Sequence, residues 1–140
     1  MGDTDYVLLM LCEARDLIRG HWHRASQDDR AVCADGSPCG AEDDEAAIFS
    51  PEGAIMHAGH RQKRSSREAT LAFDLFEESA VMLGYLPPGA SIIVFGLSPD
   101  TTEERTLAVF DLAISQRSAA QSAAAAVDGV RDLGHVVATE

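Results

Sequence analysis

Apolar residues recur at spacings of three and four along most of this chain, and the clearest case lies in its middle. Over residues 65–84, Ala69, Ala72, Phe73, Phe76, Ala80 and Leu83 share one helical face, which Leu71, Leu75 and Met82 widen. Asp74, Glu77 and Glu78 fall off that stripe and are expected in water. Ser65 with Glu68 three positions on makes a capping box. Gly84 and the pair Pro87-Pro88 stop the helix. Such an element is roughly 28 Å long, about the width of a small domain. The spacing therefore predicts a capped central helix on which other segments pack.

The same pattern predicts further helices on either side. Leu8, Leu11, Cys12, Arg15 and Ile18 form a stripe over residues 5–19, with Asp3, Thr4 and Asp5 as capping residues and Gly20 as the stop. Ser50 before Pro51 starts a second helix that runs to about His60, with Ala54, Ile55 and Ala58 inward. Residues 90–97 carry the branched run Ile92, Ile93, Val94, read as a short helix because no strong strand elsewhere offers to pair with it. Thr101 with Glu104 forms a second capping box, and Leu107, Phe110 and Ile114 are the seam of a last helix reaching about Ser118. Residues 119–140 read as an alanine-rich extension and a tail.

Between the first two helices the pattern is lost. Residues 21–49 carry Gly, Pro, Asp and Ser in loop proportions, with turn chemistry at Asp35-Gly36 and Ser37-Pro38. Trp22, the only tryptophan, is expected to fold back and anchor this loop. The fold class expected is all-α: one compact bundle over residues 1–118, with four main helices, one short helix and a long irregular loop.

Charge narrows the function. Acidic side chains number 23 against 11 basic, a formal net charge of −12. That sign opposes direct nucleic-acid binding and anionic membranes. No apolar run reaches the ~20 residues a membrane span needs. Tyr6 and the apolar residues after it are preceded by Asp3 and Asp5, unlike a signal peptide. A cytoplasmic protein is expected, its three cysteines kept as thiols by a reducing compartment, with Cys33 and Cys39 close enough to pair on oxidation. Arg61, Lys63, Arg64 and Arg67 form the one basic cluster, read as compensating the acidic surface.

Two chemistries compete. One is contact: Glu42, Asp43, Asp44 and Glu45 in the loop, with Asp74, Glu77 and Glu78 on the central helix, are the candidate residues for binding a basic protein partner, in the manner of a regulator, an inhibitor or a nucleic-acid mimic. The other is a zinc site or a metal-dependent enzyme built from His21, His23, His57 and His60, with Cys33 and Cys39 nearby. Their spacings match no standard zinc motif, and neither a phosphate-binding glycine loop, an EF-hand nor a nucleophile elbow is present. No catalytic residue is nominated.

Three stretches carry a likeness. They are Ala14-Arg15-Asp16-Leu17-Ile18 followed by Gly20 and Trp22; Asp35-Gly36-x-Pro38 followed by Gly53-Ala54-Ile55; and Pro99-x-x-Thr102-x-Glu104 leading into Leu107-Ala108-Val109-Phe110-Asp111. In this order they resemble an uncharacterised small helical family, a domain of unknown function met in bacterial and phage genomes. The resemblance implies an all-α fold and a bacterial or mobile-element origin, and it implies no activity. Ile48, Phe49 and Ser50 stand where that family commonly has cysteines around an aromatic, and Phe95-Gly96-Leu97 where it often has Trp-Asn-Asp.

Overall fold

The structure is a computed structural model that describes residues 5–22 and 31–138, with side chains as far as residue 124 apart from Pro38. Among the described residues five helices and three short strands follow one another: α1 (Tyr6–Ile18), β1 (Ala31–Cys33), β2 (Pro38–Cys39), β3 (Ala46–Phe49), α2 (Pro51–Arg61), α3 (Ser66–Met82), α4 (Ile92–Leu97) and α5 (Glu103–Ala138). The molecule is mostly helical, and an all-α description is corrected by the small sheet.

Four of the five helices described start where the sequence supplies a local cap; the N-cap of α4, Ser91, makes no side-chain bond. Asp5 accepts the Leu8 N–H at 3.2 Å to begin α1. Ser50 accepts the Gly53 N–H at 3.1 Å, with Pro51 in the first turn of α2. At α3 both halves of the capping box form: Ser65 Oγ accepts from Glu68 N at 3.2 Å, and Glu68 Oε1 accepts from Ser65 N at 3.0 Å. The last cap is displaced by one residue from the sequence expectation. Thr102, not Thr101, accepts the Arg105 N–H, at 3.1 Å. Thr101 is buried, and its hydroxyl donates to the Phe95 carbonyl at 2.6 Å, tying the entry of α5 to α4. Two adjacent threonines look alike in sequence, and this tertiary bond decides between them.

The core joins all five helices. Val7, Met10, Leu11, Ala14 and Ile18 of α1 are buried where α1 meets α2, α3 and α5. Gly59 lets α2 approach α1 closely, since a Cβ there would stand 3.0 Å from Met10 Cε. Phe76 of α3 meets Phe95 of α4 edge-on at 5.1 Å and Phe110 of α5 at 4.8 Å, an arrangement aromatic quadrupoles favour. Ala72, Phe76, Ser79 and Ala80 are the buried positions of α3. Leu71, Met82 and Leu83 face outward, so the apolar stripe is narrower than its sequence. α5 continues through the alanine-rich stretch to Ala138 as 36 residues, about 54 Å at 1.5 Å each.

The segment read as an irregular loop contains an antiparallel sheet of order β2-β1-β3. Ala31 faces Phe49 and Val32 faces Ile48, then the register shifts before Cys33 reaches Ala46. Strands of two to four residues are too short for alternation to register, and β1 and β3 pair with β2 and the acidic loop between them in the chain. A disulfide joins Cys33 to Cys39, with Cα atoms 5.5 Å apart, so two of the three cysteines are paired and Cys12 is free. Trp22 bridges to Phe49 and packs against the core, as its anchoring role requires.

Candidate functional site

The acidic loop sits at the end of the sheet. Asp43 accepts the Glu45 N–H at 2.9 Å, and Ala46 N donates to the Asp43 carbonyl at 3.1 Å, so the backbone turns tightly between Gly40 and β3. Glu42, Asp43, Asp44 and Glu45 are all exposed. The loop is tied back to α2 by His57. That side chain is buried, its Nδ1 lies 2.9 Å from the Ala41 carbonyl, and its ring stands 4.8 Å from Phe49. The contact fixes the tautomer: Nδ1 must carry the proton to donate to a carbonyl.

This settles where the candidate zinc ligands lie. His57 is engaged as a structural donor beneath the loop. His60, one turn on, is half exposed and faces Glu42, with Nδ1 3.7 Å from Oε2. His21 is exposed, and its carbonyl accepts the Phe49 N–H at 3.0 Å. His23 lies outside the described residues. The two cysteines near them are held in the disulfide. Among the described residues no three His, Cys, Asp or Glu side chains come together as a metal site. The helical spacing of His57 and His60 signals proximity, but a single turn separates a buried face from an exposed one.

The acidic residues of α3 divide as well. Glu77 is half-buried, and its Oε2 accepts the Ile92 N–H at 2.7 Å, satisfying a free donor in the first turn of α4. It is therefore a structural carboxylate, which the stripe pattern alone does not reveal. Asp74 and Glu78 are exposed, one turn apart. With Val81, Met82, Pro88 and Ala90 they line a groove of about 550 Å³ between α3 and the turn before α4.

The basic cluster is largely used inside the molecule. Arg61 pairs with Glu13 at 3.2 Å. Arg64 lies over the Tyr6 ring at 3.8 Å, donates to the Gln62 carbonyl at 2.7 Å and reaches Glu68 at 4.0 Å. Lys63 is exposed in a left-handed conformation, φ 55°, at the turn between α2 and α3. Lys63 and Arg64 border a cleft of about 650 Å³ that also includes Glu42, Glu52, His60 and Phe73, so neither sign of charge dominates its wall.

Asp35 and Cys12 are displaced from their ordinary behaviour. The Ser37 hydroxyl and N–H, at 2.6 and 2.9 Å, hold the Asp35 carboxyl below the usual range in the hairpin turn. Burial pushes the Cys12 thiol up, against the pull of Arg15 and with a further push from Asp16. Both are structural. Among the described residues no helix is long and apolar enough to cross a membrane.

No family model, no curated protein and no solved structure matches the chain.

Proposed function

We propose that this chain is a non-enzymatic interaction protein that engages a basic protein partner through its acidic surface. One observation supports this above the rest: the acids segregate into paired and unpaired sets. Asp5 holds Arg117 at 2.7 Å, Asp111 holds Arg15 at 3.3 Å, Glu13 holds Arg61 and Glu68 holds Arg64. Glu103 accepts the Gly20 N–H at 3.2 Å. These pairs neutralise the seams between helices. By contrast, among the described residues Asp43, Asp44, Glu45, Asp74 and Glu78 have no ion-pair partner, and Glu42 faces only His60.

Asp100 and Glu104 are exposed and without an ion-pair partner among the described residues too, but the loop and one face of α3 each bring unpaired carboxylates together, which raises the local concentration of a cationic partner and speeds encounter. The likeness of three stretches, in the first helix, in the loop and second-helix entry, and in the last helix, to a bacterial and phage family adds an origin to this proposal and no activity. A cytoplasmic setting goes with it, in which the Cys33–Cys39 pair would form on oxidation.

Affinity capture from the native host, repeated at low and high ionic strength, is the test. A specific basic partner that dissociates as salt rises supports contact by charge. A partner indifferent to salt, or a turnover activity that survives neutralisation of these carboxylates, refutes it.

A further inference from the structure

The groove between α3 and the turn before α4 has the makings of a peptide site. Its rim is Asp74 and Glu78, exposed, on one helical face and without a cation among the described residues. Its floor is Val81, Met82, Pro88 and Ala90. Met82 is 63% exposed, the most open of the large apolar side chains among the described residues. An unbranched thioether adapts to varied apolar partners. The far wall is a fixed turn: Gly89 takes φ 85°, and Ala90 N donates to the Pro87 carbonyl at 3.1 Å. Glu77 locks the near end of α4 to α3 through Ile92. The groove is therefore preformed, which lowers the ordering cost of binding.

A volume of about 550 Å³ falls within the range of ligand pockets and takes one or two side chains, not a domain. We propose that it receives a short peptide segment of a protein partner, in which an apolar anchor packs on Met82 and Val81 while two Lys or Arg side chains reach Asp74 and Glu78. The occupant follows from charge complementarity: carboxylates one turn apart match cations spaced by one turn on a helical peptide. This deepens the proposal of a basic partner by naming the surface, and it depends on that proposal.

The test uses the full chain and a fluorescent helical peptide of about 15 residues, with lysines at i and i+4 beside a leucine anchor, and a glutamate-for-lysine counterpart. Saturable binding of the lysine peptide is expected, with amide shift changes confined to residues 74–90. The double variant Asp74→Asn/Glu78→Gln should weaken it about tenfold, and Met82→Asp should weaken it as well. Asp74→Lys/Glu78→Lys should switch preference to the glutamate peptide, which a merely structural role would not do. All three positions are exposed, and thermal scans check that each variant folds. If these variants bind like the parent while Asp43→Asn/Asp44→Asn abolishes binding, the groove is refuted and the broader proposal stands. If no form binds the lysine peptide in a salt-sensitive manner, both are refuted.

Discussion

The Cys33–Cys39 disulfide closes a hairpin that has little else to hold it. β2 is two residues long, and one of them is Pro38, which has no N–H to give the ladder. The turn has local support: Gly36 N donates to the Cys33 carbonyl at 2.9 Å, and Asp35 binds Ser37. The cross-link therefore acts chiefly by limiting the unfolded chain. For cysteines six positions apart, loop-closure entropy gives about 2 kcal/mol. A chain of 140 residues unfolds with an entropy of about 0.3 kcal/mol/K, so opening the bond should lower Tm by about 7 °C.

Thermal scans with and without a phosphine reductant measure this, and Cys33→Ala/Cys39→Ala should melt with the reduced parent. A thiol count in denaturant should find one free sulfhydryl before reduction, Cys12, and three after it. Three before reduction, or a Tm that moves by less than about 2 °C, would sink the entropic account.

Other substitutions probe other contacts. Phe76→Ala removes the ring that links α3, α4 and α5 and should cost about 3–5 kcal/mol in denaturant titration. Ser65→Ala dismantles one half of the α3 capping box and should cost about 1 kcal/mol by the same assay. Asp5→Ala removes both the α1 cap and the Arg117 partner; Asp5→Asn keeps the cap, so it should cost less; equal losses would mean the cap contributes nothing, and an Asn variant as stable as the parent would mean the ion pair contributes nothing. Because burial raises the Cys12 pKa, its share of stability is full below the thiol's unfolded value and fades as pH rises toward the folded one; alkylation of the native protein at mildly alkaline pH should be slower than that of the unfolded chain, and equal rates would refute it.

The helices were legible because their signals are local. A serine and a glutamate three apart, a proline after a serine, and a stripe of Ala72, Phe76 and Ala80 each specify geometry within a turn or two. The sheet was not, because β1 and β3 are short and their pairing depends on chain far apart. Charge was legible as a total but not as a distribution. Asp74, Glu77 and Glu78 read alike on the helix face, and only the approach of Ile92 makes Glu77 structural. His57 and His60 read as a pair for the same reason, until the Ala41 carbonyl claims one ring and solvent the other.

That claim on His57 has a consequence for how the acidic loop is presented. The loop leaves the sheet just after Cys39 and returns at Ala46, so two devices can hold it: the disulfide behind it and the His57 bond beneath it. Ala46 stays fixed by its pairing with Cys33 and by its own bond to the Asp43 carbonyl, both of them backbone interactions independent of the sulfur atoms. Ala41 is fixed by His57, whose ring is buried against Phe49. Reduction should then loosen residues 34–39 and leave residues 41–46 in place. His57→Ala should do the reverse, opening a cavity under Ala41 and leaving its buried carbonyl without a donor, at about 1–3 kcal/mol for the lost partner. Amide hydrogen exchange separates the two: faster exchange at residues 34–39 on reduction, and at Asp43, Glu45 and Ala46 in the His57 variant. Were reduction to release the amides of residues 43–46 as well, the hairpin and not the histidine would be holding the acidic loop, and its carboxylates would be presented only in the oxidised protein.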